Sequence, residues 1–239
     1  MGKKIIFALM SLWMAVGYGQ TLKVIRKIPH SGYSEGLDYH DGYLWHALPK
    51  QLVKIDPKTG SVLNRFTPAT KYSESLVWRK GFLWNVSFHD NGLYRGTLKD
   101  DKIIFERKGS VPEKHAWGLT DDGKHLVVTG NFSKKLYFVN PDSGKVEREI
   151  ETPIKDVEDL AWDGKGFWSS SFSDHKGSIF RIHPKTGKVS PIFQLPNPDE
   201  CPVIDGIAFD GKNLYVTGKH CPSIFYIERP TERQITGNP

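Results

Sequence analysis

A short cassette recurs five times along the 239-residue chain, and it constrains the fold more than any other feature. Its copies start at Glu35–Gly36–Leu37, Glu74–Ser75–Leu76, Trp117–Gly118–Leu119, Glu158–Asp159–Leu160 and Asp205–Gly206–Ile207, at spacings of 39, 43, 41 and 47 residues. Each copy leads within about ten residues to a second apolar run: Tyr43–Leu44–Trp45, Phe82–Leu83–Trp84, His125–Leu126–Val127, Phe167–Trp168–Ser169 and Asn213–Leu214–Tyr215. Asp41–Gly42, Asp122–Gly123 or Asp163–Gly164 stands between the two runs, which is hairpin chemistry. A third run, such as Leu52–Val53–Lys54–Ile55 or Ile179–Phe180–Arg181–Ile182, alternates at the two-residue period of a half-buried strand. The turns Asp56–Pro57–Lys58–Thr59–Gly60, Asn140–Pro141–Asp142–Ser143–Gly144 and His183–Pro184–Lys185–Thr186–Gly187 then place Gly where φ must be positive. They feed a fourth strand, expected over 61–66, 145–150 and 188–193.

Four short antiparallel strands per unit, repeated radially, predict an all-β, five-bladed β-propeller, because one blade cannot bury both faces without neighbours. A 3.6-residue period is absent, which excludes helical solenoids. The fifth unit has a poor final strand after Glu228, while 22–28 is an orphan strand ahead of the first unit. The N-terminal strand is therefore expected to close the last blade.

Residues 1–19 break the pattern: Lys3 and Lys4 precede an apolar run over 5–16, followed by the small residues Gly17 and Gly19. This reads as a signal peptide, the run being too short to span a bilayer. The rest, 20–239, reads as a single propeller domain, a secreted or periplasmic monomer with no membrane contact after cleavage. An exported chain with one cysteine pair, Cys201 and Cys221, is expected to join them in a disulfide that ties the loop before the fifth blade to the loop carrying Lys219. The net charge of +6 is scattered without a basic run flanked by aromatics, so nucleic acid is discounted.

In a propeller the innermost strand of each blade lines the axis, so the cassette starts form a ring: Glu35, Glu74, Trp117, Glu158 and Asp205. Four carboxylates this close raise one another's pKa unless a cation or shared proton relieves them. The ends of the second strands form another ring, Pro49, Phe88, Asn131, Phe172 and Lys219. Tyr33, Phe88, Trp117 and Phe172 would wall an apolar box, with Lys219 as a positive charge at its rim. Trp45, Trp78, Trp84, Trp162 and Trp168 lie in strand patterns and are assigned to packing between blades.

The repeat resembles the plant and bacterial glutaminyl cyclases (glutamine cyclotransferases), five-bladed propellers, over roughly 33–227. The likeness is carried by Tyr33–Ser34–Glu35–Gly36–Leu37, Glu74–Ser75–Leu76, Ala116–Trp117–Gly118–Leu119–Thr120 and Leu136–Tyr137–Phe138–Val139–Asn140–Pro141. The closing Asp205–Gly206–Ile207–Ala208–Phe209–Asp210 and Leu214–Tyr215–Val216–Thr217–Gly218–Lys219–His220–Cys221–Pro222 are its most specific part. The resemblance implies that an N-terminal glutamine of a peptide or protein cyclises to pyroglutamate with loss of ammonia, and that no cofactor is needed. It implies Glu74 as proton shuttle, Trp117 as wall and hydrogen-bond donor, and Lys219 as electrostatic partner of Glu74. Tyr33, Glu35, Phe88, Glu158, Phe172 and Asp205 would bind substrate. The chain departs from the family where Gln becomes Glu35, two Asn become Glu158 and Asp205, and two Trp become Phe88 and Phe172. An ionised carboxylate accepts hydrogen bonds only, where an amide also donates.

Two alternatives stay open at this point. Acidic blade starts are similar to those with which gluconolactonase-like propellers hold an axial divalent cation, so Glu35, Glu158 and Asp205 would bind Ca²⁺ in a lactonase- or esterase-like hydrolase. The same box would otherwise bind a ligand without chemistry.

Overall fold

The computed structural model describes residues 20–30 and 32–237; the expected signal peptide, 1–19, lies outside them. Four strands make the first blade, Leu37–His40, Tyr43–Leu48, Gln51–Ile55 and Val62–Phe66, paired in sequence order. Blade 2 repeats this with Ser73–Arg79, Phe82–Ser87, Gly92–Lys99 and Lys102–Ser110, and blade 3 with Ala116–Asp121, Leu126–Gly130, Lys135–Val139 and Val146–Glu151. Blade 4 is Val157–Trp162, Phe167–Ser171, Ser178–Ile182 and Phe193–Gln194. Blade 5 has Gly206–Phe209, Leu214–Thr217 and Ser223–Ile227, and its outermost strand is the N-terminal Val24–Pro29. The inner strands meet in the order blade 1 to blade 5 and back to blade 1, which closes the circle.

The N-terminal segment locks this ring twice. Val24–Pro29 pairs antiparallel with Ser223–Ile227, as the orphan strand implied. Ahead of it, Gln20–Thr21 adds in parallel to Phe193–Gln194 at the edge of blade 4, a junction the sequence did not announce. A short C-terminal helix, Glu232–Thr236, starts at a Thr231/Gln234 capping box, and Glu232 pairs with Arg181 of blade 4.

One strand expectation needs correction. The fourth strand of blade 4, expected over 188–193, is reduced to a lone Ile182–Val189 bridge and then Phe193–Gln194. Pro191 has no N–H to donate, and the Ser190 hydroxyl takes the Arg181 N–H that a continuing ladder would use. The three Pro/Gly turns do form, with Gly60, Gly144 and Gly187 at φ of 77°, 67° and 68°.

Each pair of adjacent blades shares its own apolar core. Trp45, Leu52, Leu76 and Leu83 join blades 1 and 2; Trp84, Val128 and Tyr137 join blades 2 and 3. Phe138, Phe167 and Phe180 join blades 3 and 4, Trp168 and Phe225 blades 4 and 5, and Leu44 and Tyr215 blades 5 and 1. Trp78 and Trp162 pack at the edges of these cores. Full burial of each large apolar side chain contributes roughly 1.5–3 kcal/mol, and only the neighbouring blade supplies it.

At the axis the chain is packed to backbone contact. The second cassette residue is Gly36, Ser75, Gly118, Asp159 and Gly206 in the five blades. A Cβ on Gly36 would lie 2.5 Å from Ser75 Oγ, and one on Gly118 or Gly206 would overlap the carbonyl oxygen of Glu158 or Glu35. There is room for one larger side chain, and Asp159 is it. Its carboxylate accepts from Leu37 N at 2.8 Å, Ile207 N at 3.1 Å, Leu119 N at 3.5 Å and the Ser75 hydroxyl at 2.5 Å. One carboxylate from blade 4 thus ties the inner strands of the other four blades together.

Candidate active site

One residue before this hub, the cassette starts open into a cavity of about 340 Å³ on the axis. Its lining includes Tyr33, Glu74, Phe88, Trp117, Glu158, Phe172 and Lys219, seven of the residues named from sequence. Glu35 and Asp205 lie behind this lining, both buried against Lys219. The cavity also takes in Asn131 from the second ring, and Tyr72 and Phe132, which sequence reasoning passed over. Pro49 is absent from the lining; its carbonyl accepts from Ser73 N at 2.9 Å.

Lys219 organises the charge. Its Nζ lies 3.1 Å from Asp205 Oδ1 and 3.5 Å from Glu35 Oε2, and its backbone N–H donates to Asp205 Oδ2 at 2.9 Å. Its direct contacts go to these two carboxylates, because Asp205 and Lys219 flank one hairpin of blade 5, while its charge still favours the ionised form of Glu74, the electrostatic coupling that the resemblance implied. Burial alone would lower the lysine's pKa, but the carboxylates of Asp205, Glu35 and Glu158 outweigh it and raise it further. The loop carrying Lys219 is fixed by the Cys201–Cys221 disulfide.

Burial shifts every ring carboxyl toward its protonated form. Burial and the charge of Glu35 push Glu74 up to about 9. Burial raises Glu35 to about 7, with Lys219 opposing and Asp205 assisting, while the Tyr72 hydroxyl donates to Glu35 Oε1 at 2.7 Å. Burial and Asp205 raise Glu158 well above its ordinary range. Asp205 is raised by burial against the pull of Lys219 and of three hydrogen-bond donations. A protonated carboxyl has one O–H donor where an amide has two N–H donors, but both donate as well as accept, so Glu158 in its neutral form can offer a ligand a donor as Asn would.

The walls are aromatic. Phe172 and Tyr33 each lie 5.3 Å from Lys219 Nζ, and Trp117 meets Phe172 and Phe132 at 6.3 Å. Phe88 stacks on His115 at 4.6 Å and leans on Tyr72. Trp117 is buried, yet its indole Nε1–H has no partner among the described residues, which leaves a donor for whatever fills the cavity. Among the described residues no group of three or more His, Cys, Asp or Glu side chains is arranged to hold a metal ion. The Lys219 ammonium stands against two of the three carboxylates that the Ca²⁺ reading requires.

The signal for Tyr72 and Phe132 was faint because both lie in loops outside the repeat. Asp159 was the one large residue in a column of small ones, which is visible once the five copies are aligned.

Among solved structures, glutaminyl cyclase from Myxococcus xanthus superposes with a TM-score of 0.73 at 18% identity, covering 87% of this chain and 98% of that one. The PQQ-bound aldose sugar dehydrogenase of Streptomyces coelicolor gives 0.57 at 12% identity, over 87% and 98% of the two chains. Virginiamycin B lyase from Staphylococcus aureus gives 0.51 at 16%, over 88% and 75%. At such identities the likeness shows the propeller fold alone. No curated protein matches the chain. The sequence itself matches the family described as glutamine cyclotransferase across residues 14–229, nearly its whole length. The chain belongs to the glutamine cyclotransferase family.

Proposed function

We propose that the protein is a glutaminyl-peptide cyclotransferase acting on the N-terminal glutamine of peptides or proteins. The α-amine nitrogen bonds to the side-chain amide carbon, the bond from that carbon to the amide nitrogen breaks, and one proton passes from the α-amine to the departing nitrogen. Pyroglutamate and ammonia result, so atoms balance without a co-reactant. Glu74 carries the proton. The observation that supports this role is a cavity-lining carboxyl whose pKa is pushed to about 9, close to that of the amine it serves.

Trp117 Nε1–H donates to the amide carbonyl oxygen as negative charge grows there. Lys219 holds the acidic ring to a small net charge through Asp205 and Glu35, so Glu74 can gain and lose its proton without a cation from solution. Glu158 in its neutral form donates to the substrate, which reconciles an acidic ring with a neutral amide ligand. No metal is part of this reading, and Lys219 supplies the positive charge that the hydrolase reading assigns to Ca²⁺. The disulfide supports export to an oxidising compartment, secreted or periplasmic. Among the described residues no helix is long and apolar enough to cross a membrane.

The test is incubation of the purified protein with a Gln-initiated dipeptide, with and without chelator, following ammonia and the product mass. Chelator-insensitive loss of one ammonia is expected. No release from any such peptide overturns the reading, and release abolished by chelator revives the cation.

A further inference from the structure

A peptide whose first residue fills the cavity must leave across its aromatic rim, because Asp159 and the small residues around it fill the axis beyond. Phe132 is the most exposed ring on that rim, at 68% against 49% for Phe172, 46% for Tyr33 and 36% for Phe88. It lines the cavity on one side and, on the other, a groove of about 440 Å³ bounded by Glu113, Ser133, Lys134, Tyr137 and Glu151. Among the described residues it is the one shared by the two.

The backbone is strained to put it there. Phe132 has a φ of 58°, a left-handed conformation that bulky side chains rarely adopt and that persists only where the surroundings enforce it. Hydrogen bonds enforce it from both sides. Asn131 N donates to His115 O at 3.2 Å, Ser133 N to Gly130 O at 3.3 Å, and Asp156 N to Ser133 O at 3.1 Å. Asp156 is buried and itself left-handed, at φ 55°; its carbonyl also accepts from Phe172 N at 3.1 Å, so one residue fixes both aromatic loops. The strained turn places no core side chain: Phe132 stays largely exposed, with Lys155 Nζ 5.4 Å from its ring centroid.

We propose that Phe132 is the specificity-determining residue for the second residue of the substrate, selecting an aromatic or large apolar side chain that stacks over its ring as the peptide passes into the groove. This rests on the cyclotransferase reading. The gain comes from covering an exposed ring with apolar surface, and Trp117 and Phe172 flank the same position.

The experiment compares kcat/KM for Gln-Phe-amide and Gln-Gly-amide in the wild type, Phe132→Ala and Phe132→Gly. The wild type should prefer the phenylalanine peptide by about tenfold, and both variants should bring the ratio near one. Phe132→Gly should unfold at the same temperature or higher, since glycine relieves the left-handed backbone, so loss of selectivity is not loss of fold. A wild type without preference, or a preference that survives both substitutions, overturns the proposal. If neither peptide turns over, the cyclotransferase reading fails separately. The Kd ratio of the two peptides by calorimetry then decides, a Phe132-dependent ratio supporting the subsite and an equal ratio sinking it.

Discussion

Glu158 and Asp159 are consecutive carboxylates on one inner strand, both buried, and they do opposite things. Burial alone would push both toward the protonated form. Asp159 is met by three backbone N–H groups and the Ser75 hydroxyl, donors that pull against burial and leave it raised only to about 7. Glu158 faces Asp205, Glu74 and Glu35, whose charges add to the effect of burial. The two sit in a bulge, where the register against the next strand shifts between Val157 and Leu160; from it Asp159 reaches the backbone of the other blades and Glu158 the cavity. A buried acid becomes structural when donors saturate it and chemical when they do not.

The largest effect that would sharpen this contrast is expected at the hub. Asp159→Ala leaves several donors unsatisfied in a buried site and should cost about 3–5 kcal/mol, a large share of a domain's stability, read from the urea midpoint. An unmoved midpoint would break the contrast by showing the hub to be dispensable.

Glu74→Gln should do the reverse. Its isosteric amide keeps the packing but cannot carry the proton, so kcat should fall by about 10²–10⁴ with the urea midpoint nearly unchanged. Retained turnover would mean another ring carboxyl moves the proton, with Glu158 the first to replace.

The smallest effect is in the pH profile. The productive form pairs a free substrate amine, of pKa about 7.7–8, with protonated Glu74, so kcat/KM should rise through about 8. It should fall again through about 9, as Glu74 loses its proton. Lys219 favours the ionised form of Glu74, so Lys219→Met should move the alkaline limb above 9 while lowering the rate. A limb that stays in place would show that Lys219 and Glu74 are not electrostatically linked.

The repeat made most of this molecule legible in advance. Strand alternation, the Asp–Gly hairpins and the Pro/Gly turns are local, and they set blade number, strand order and the ring of cassette starts. Where a local rule was broken the expectation failed locally, as at Pro191 in blade 4. The site was legible to the extent that it follows the repeat: Glu74, Trp117, Glu158 and Lys219 stand at equivalent strand ends, whereas Tyr72 and Phe132 enter from loops whose paths no periodicity encodes.

The sequence by itself determined the five blades, the closure by the N-terminal strand and the meeting of four acids near one axis, because each follows from a pattern repeated at fixed spacing. Only the tertiary structure decided which acid each cation and donor would satisfy. Lys219 made its direct contacts with Asp205 and Glu35 and reached Glu74 through its charge, and Asp159 took the donors of four other blades. Such choices depend on distances of 2.5 to 3.5 Å between residues that are mostly far apart in the chain, and electrostatic and hydrogen-bond energies change steeply over that range.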